Sequence, residues 1–161
     1  MLPLFKKDER FTQGIFRPKN PDKFIGKDLI VEKKNLGKAA IFRSSYERKF
    51  FMWADNHPSV LEWGSENIII PYISPIDNRY HRYYVDNYVV WKEGSIIKKY
   101  LIEIKPFAQT QPPKPSNRKK KATMLYENTQ WSINKAKWEA AKKVASHINA
   151  EFLILTEKDL F

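Results

Sequence analysis

Apolar positions recur along this chain with two different periods, and the changes between them divide it into elements. In RSSYERKFFMWADNHP, residues 43–58, Tyr46, Phe50, Trp53 and Ala54 fall on one side of a 3.6-residue turn, which predicts an amphipathic helix. Ser44 stands where an N-cap is needed, Glu47 follows three residues later as in a capping box, and Asn56 to Pro58 end the pattern. From Val60 onward strand signals take over. VLEW, a Gly64–Ser65 break, ENIIIPYI, a turn at Pro75–Asn78, RYHRYYVDNYVVW, a turn at Glu93–Gly94 and SIIKKYLIEIKP read as a meander of β-hairpins. The helical period returns in residues 127–150, where Trp131, Ile133, Ala136, Ala140, Ala141, Val144 and Ile148 make an inner face. EFLILT then reads as a buried closing strand. This order predicts an α/β or α+β sheet with helices packed on it.

Two stretches carry neither period. Residues 1–43 are basic, contain Pro3, Pro18 and Pro21, and are expected to form an irregular arm with a short strand at Asp28–Glu32. QTQPPKPSNRKKK, Gln109–Lys121, has three prolines and five basic residues and no acid. It is expected to be a mobile loop within one domain, because the piece that follows is too short to fold alone. The expected organisation is therefore a single domain over 1–161, with the arm at 1–43 and a core at 44–161.

Composition narrows the function. A chain of 161 residues, 42% hydrophobic, can bury one core. No apolar run approaches the roughly 20 residues of a membrane span, and MLPLFKKDERF lacks the apolar centre of a secretory signal, so no membrane partner is expected. There is no cysteine, and His57, His81 and His147 have no metal-ligand spacing, which excludes a thiolate or structural zinc site. Lys and Arg outnumber Asp and Glu by 29 to 18, a formal charge of +11, which points to a polyanion such as nucleic acid.

Alternation then exposes an anomaly. In YLIEIKP, Leu101, Glu103 and Lys105 share one face and Ile102 and Ile104 the other. Charges in such a strand cost several kcal/mol unless they are paired or bind a metal. Asp86 breaks RYYVDNYVVW in the same way, with Tyr84, Tyr88 and Val90 on its face, and hairpin pairing can bring it near Glu103. Two readings fit. One is a set of salt bridges, Glu103 with Lys98 or Lys99 and Asp86 with Arg82. In the other, the carboxylates hold a hard divalent cation, and Lys105 holds a water in line with a phosphate. Glu47 adds to the second reading. It can be a simple cap, but Phe50, Phe51 and Ala54 follow at three, four and seven residues and turn it toward the buried side.

Taken together, SSYERKFFMWADNHPSVLEWGSENIIIPY, HRYYVDNYVV and YLIEIKP resemble the PD-(D/E)XK nuclease superfamily. Within it the chain is similar to TnsA-type endonucleases and resembles above all the head completion nucleases of contractile-tailed phages, over residues 43–161. TQWSINKAKWEAAKKVA and FLILTEKDL share that likeness. The resemblance implies a restriction-endonuclease-like core, a central mixed β-sheet flanked by helices, and a DNA endonuclease using Mg²⁺, with Mn²⁺ as a substitute. By motif, Asp86 is the first acid, Glu103 and Lys105 are the ExK pair, and Glu47 is the acid of the first helix. The implied metal ligands are Asp86, Glu103, Glu47 and the Ile104 carbonyl. Val85 stands where family members often carry proline, a position that shapes the strand and does no chemistry. Glu66 in WGSE, and Gln130, Asn134 and Lys137 on the long helix, are candidates for supporting the site, though an ordinary strand-edge acid and a helix boundary stripe describe them equally. Lys114, Arg118, Lys119, Lys120 and Lys121 are candidates for backbone contacts to DNA. The resemblance also implies action in phage head completion after DNA packaging, in the host cytoplasm during assembly or in the virion head. Portal and head proteins are the implied partners, and a homodimer is left open. A non-catalytic DNA-binding head component and a transposon-type end-cleaving endonuclease are the rival readings. For an RNA nuclease, no recognisable RNA-binding signature is present.

Overall fold

The computed structural model describes residues 13–25 and 37–160. In chain order the elements are β1 (Gly14–Phe16), β2 (Ala40–Phe42), α1 (Ser45–Asn56), β3 (Val60–Ser65), β4 (Ile69–Ile73), β5 (Tyr80–Tyr84), β6 (Asn87–Glu93), β7 (Ile96–Ile104), α2 (Lys121–His147), β8 (Ala150–Leu155) and α3 (Glu157–Leu160). The strand expected at Asp28–Glu32 lies outside the described residues. Among the described residues, no helix is long and apolar enough to cross a membrane.

A four-stranded sheet in the order β3-β6-β7-β8 forms the centre. β6 runs antiparallel to both β3 and β7, whereas β7 and β8 are parallel, so the sheet is mixed. Parallel neighbours need a long crossover, and α2 supplies it. The β6–β7 hairpin closes with Glu93 opposite Ile96, and Gly94 takes the left-handed conformation (φ 62°) that its tight turn requires. The two faces of β7 then separate as the alternation predicts. Ile102 and Ile104 pack with Phe50, Phe51 and Ala54 of α1, and Leu101 packs with Ala141 and Ala145 of α2. The expected architecture, a mixed sheet between helices, is therefore present.

The meander is not. β4 and β5 leave the central sheet as a two-stranded ribbon, and β3 pairs with β6 instead. The run RYHRYYVDNYVVW is broken at Val85–Asp86, where the Asp86 carbonyl accepts the Glu66 N–H at 3.1 Å and the chain turns from ribbon to sheet. The ribbon's inner residues Ile70, Tyr72 and Tyr83 pack against α2.

The stretch expected to be an arm is in part built into the core. Phe24 bridges to Trp63, and Phe16, Phe24 and Phe51 surround the Trp63 ring at centroid distances of 5.8, 4.8 and 5.3 Å. Buried Asp55 accepts the Lys19 N–H at 2.8 Å and fastens the same segment to the end of α1. The long helix begins at Lys121, six residues before the expected Glu127, because Lys121–Tyr126 has no helix breaker once Pro115 is passed. Its buried residues are Trp138, Ala141 and Ala145, while Ile148 is exposed. In α1, Phe51 takes the buried place expected for Trp53, whose ring stacks on Trp91 at the surface. β8 is a half-buried edge strand, with β7 as its one sheet neighbour among the described residues.

Candidate active site

The β6–β7 register brings the acids together. Asn87 lies opposite Ile102, so Asp86, one residue before the ladder, meets the end of β7. Its Oδ2 accepts the Ile104 N–H at 2.7 Å. Glu103 sits on the α2 face beside Leu101 and is only 4% exposed. One of its oxygens accepts the Tyr83 hydroxyl, and the other is 3.3 Å from Lys105 Nζ. Lys105 extends the strand, donating its N–H to Leu155 O at 3.0 Å. The salt bridges offered as the alternative do not form: Lys98 pairs with Glu93, and Asp86 accepts a backbone N–H and no Arg82 contact among the described residues.

Glu47 both caps and charges the site. Its N–H donates to Ser44 Oγ at 3.1 Å, as in a capping box, and its carboxylate reaches back to the Arg43 N–H at 2.8 Å. Burial pushes the Glu47 carboxyl above its usual range; the Arg43 N–H and guanidinium oppose this, and Glu66 and Glu103 add to it. Asp86 is raised well above the usual range, first by burial and then by Glu103 and Glu47, with the Ile104 N–H and Lys105 opposing. Three acids thus bear on one another across α1, the ribbon-to-sheet turn and β7.

Glu66 joins two of these elements. Its backbone is left-handed (φ 49°), an uncommon conformation for a side chain of this kind. The position is held from both ends: the N–H donates to the Asp86 carbonyl, and the carboxylate pairs with the Arg43 guanidinium. Glu66 therefore braces the Asp86 turn against the start of α1. Of the α2 candidates, Lys137 comes nearest, its Nζ 5.5 Å from the Tyr83 ring centroid. Gln130 is exposed and Asn134 half-buried, and neither bonds to the acids among the described residues. In the loop, Lys119 binds Glu127 at 2.8 Å and the Lys114 carbonyl at 3.1 Å, and Lys120 and Lys121 open α2. No loop residue joins the acid group.

Tyr83 was not foreseen as a site residue. Burial first, and Glu103 second, raise its hydroxyl far above the ordinary tyrosine range, so it stays protonated and donates. Straight alternation sets Tyr83 on the face opposite Asp86, so the sequence carries no signal for this role, and the turn at Val85–Asp86 is what brings its hydroxyl to Glu103.

Among the described residues no three carboxylate or imidazole side chains are gathered as a ready metal cage. The donor set nevertheless fits a hard, hydrated cation. Asp86 and Glu103 offer anionic oxygens, the Ile104 carbonyl adjoins them, and a cation would offset the burial and like charge that raise Asp86. One or two carboxylates plus waters is the usual protein share for Mg²⁺.

Two comparisons bear on this geometry. The family described as "TnsA-like endonuclease N terminal" matches residues 57–157, a span containing Asp86, Glu103 and Lys105 but beginning after Glu47. The chain is also 36% identical over 150 residues to the "Head completion nuclease" of Enterobacteria phage T4, covering 91% of this chain and 92% of that protein.

Proposed function

The chain belongs to the TnsA-like endonuclease family, and from this premise we propose that it is a divalent-metal-dependent DNA endonuclease acting in phage head completion. The observation that carries the reading is the convergence of Asp86, Glu103 and Lys105 at the end of β7, with the charge of Glu47 bearing on both acids. Asp86, Glu103 and the Ile104 carbonyl would hold Mg²⁺, or Mn²⁺ in its place. The bound ion would supply a more acidic water and positive charge beside the phosphate.

The chain's own groups do the rest. Tyr83 and Lys105 grip the two oxygens of Glu103 and leave it one orientation. Lys105 orients the attacking water and offsets the charge that grows on the phosphate. Glu47 would anchor a water or a second ion. The water oxygen bonds to phosphorus and gives up a proton to solvent, the bond from phosphorus to one sugar oxygen breaks, and that oxygen leaves with a proton from solvent.

DNA is the substrate that the +11 charge favours. Lys114, Arg118, Lys119, Lys120 and Lys121 would hold its backbone; Lys120 and Lys121 stand at the positive N-terminal end of α2, where a lysine is unfavourable unless an anion lies beside it. Acting on packaged DNA would place the protein in the host cytoplasm during assembly or in the virion head, beside portal and other head proteins.

The test is cleavage of plasmid DNA. In Mg²⁺ the wild-type protein should nick or linearise it, and EDTA should stop the reaction. Asp86→Asn and Glu103→Gln should bind DNA without cutting. Full activity in both variants would remove this site from the chemistry.

A further inference from the structure

The cations around Glu103 are not equally committed. Lys105 Nζ is 3.3 Å from Glu103 Oε1 and so already has a carboxylate partner. Lys137 reaches the same place from α2. It is half-buried, and its ammonium lies 5.5 Å from the Tyr83 ring centroid and 5.8 Å from that of Tyr72. Among the described residues no hydrogen bond or ion pair ends on it. A half-buried ammonium without an oxygen partner is costly, and ring faces replace its lost water only in part. Burial lowers the proton affinity of the Lys137 amine and Lys105 adds to this, while Glu103 and Asp86 oppose it. The Tyr83 hydroxyl is bonded to Glu103, so one ring separates Lys137 from the proposed metal ligand.

We propose that Lys137 is the cation that receives the substrate's phosphodiester, its Nζ donating to a non-bridging phosphate oxygen while Lys105 stays with Glu103 and the attacking water. The assignment rests on the nuclease reading and divides its work between two lysines. Tyr72 and Tyr83 fix the direction of the Lys137 stem, and both rings are buried against α2, so the ammonium is held in place before DNA arrives. A phosphate oxygen would supply the acceptor that none of the described residues provides. The competing description is a lysine that merely offsets the nearby acids. That role needs no contact with DNA.

The experiment uses the full chain with a labelled duplex oligonucleotide. Single-turnover cleavage is measured in Mg²⁺, and binding is measured by anisotropy over a range of salt in Ca²⁺. Lys137→Met keeps the length and apolar stem of the side chain, and Lys137→Gln serves as a second neutral replacement; thermal melts confirm that each folds. Loss of one charge-stabilising donor should lower the single-turnover rate by on the order of 10²-fold. Loss of one phosphate contact should flatten the slope of log K against log salt by about 0.9. Lys137→Arg should recover part of both. Wild-type rate and slope in the folded neutral variants would overturn the proposal, and so would a slower rate with an unchanged slope, which is what charge offset alone predicts. If the wild-type protein cuts no DNA, the nuclease reading falls, and the salt slope in Ca²⁺ still decides whether Lys137 meets a phosphate.

Discussion

Asp86→Asn should make the metal-free protein more stable at neutral pH, and the size of that gain tests the electrostatics of the site apart from its chemistry. In the folded chain the Asp86 carboxyl is raised by burial, by Glu103 and by Glu47, against the Ile104 N–H and Lys105. A raised folded value means that the native state binds the proton more tightly than the unfolded chain does. The stability from this proton is fully present below the unfolded value of about 3.9 and is lost as pH rises through the folded value. Once ionised without a cation, the carboxylate therefore destabilises the fold. Asparagine keeps the shape and can still accept the Ile104 N–H, now 2.7 Å from Asp86 Oδ2, but the bond changes from charge-assisted to neutral, a loss of about 1 kcal/mol. The raising causes outweigh that bond, so a net gain of about 1 kcal/mol is expected, within the range usual for stabilising replacements at functional sites. For a chain of this size the gain corresponds to a Tm increase of about 2–4 °C. The assay is circular-dichroism melting in EDTA between pH 5 and pH 8. The variant's lead should be largest at the alkaline end of this range and shrink as the pH falls and the wild-type acid takes up its proton. Adding Mg²⁺ should raise the wild-type Tm and leave the variant nearly unmoved, because only a ligand bound to the native state shifts the equilibrium. A variant less stable than wild type at pH 8 in EDTA, or a gap that does not change with pH, would refute the reasoning.

Two further outcomes separate structural from functional roles. Ser44→Ala should cost about 1 kcal/mol in denaturant melts and leave plasmid cleavage intact, because it removes a cap only; Glu47→Gln keeps an acceptor for the Arg43 N–H and should slow cleavage at least tenfold, roughly 1.4 kcal/mol of barrier, so full activity would reduce Glu47 to a cap. Replacing Arg118, Lys119, Lys120 and Lys121 with serine should weaken binding on every DNA sequence alike, each lost phosphate contact removing about 0.9 from the salt slope. An unchanged slope in that variant would move the DNA contacts elsewhere, with Arg17 and Lys19 the next basic residues to replace.

What the sequence made legible and what it hid differ in one physical respect. Glu103 and Lys105 stood out because they violate a local rule: charges recur at period two in a strand whose other face is Ile102 and Ile104. Their meeting with Asp86 was also readable, since the tight turn at Gly94 fixes the β6–β7 register from Glu93 opposite Ile96 back to Asn87 opposite Ile102. The break at Val85–Asp86 was not readable, because RYYVDNYVVW alternates straight through it. The break depends on β3 pairing with β6 and on Glu66 donating to the Asp86 carbonyl, both contacts between residues far apart in the chain. The docking of Phe16 and Phe24 on Trp63 was hidden for a related reason: a three-residue strand and a single bridge are too short to show a period. Tyr83 and Lys137 were hard to read because they obey local rules, one as an inward aromatic in a strand, the other as a boundary cation on an amphipathic helix. Only the packing of the ribbon on α2 brings a tyrosine hydroxyl onto Glu103 and, onto that tyrosine, an ammonium with no oxygen partner among the described residues. Residues that break local patterns to carry charge can thus be found by pattern. Residues that orient those charges, or wait for the substrate beside them, fit the pattern and emerge only when the tertiary contacts place them.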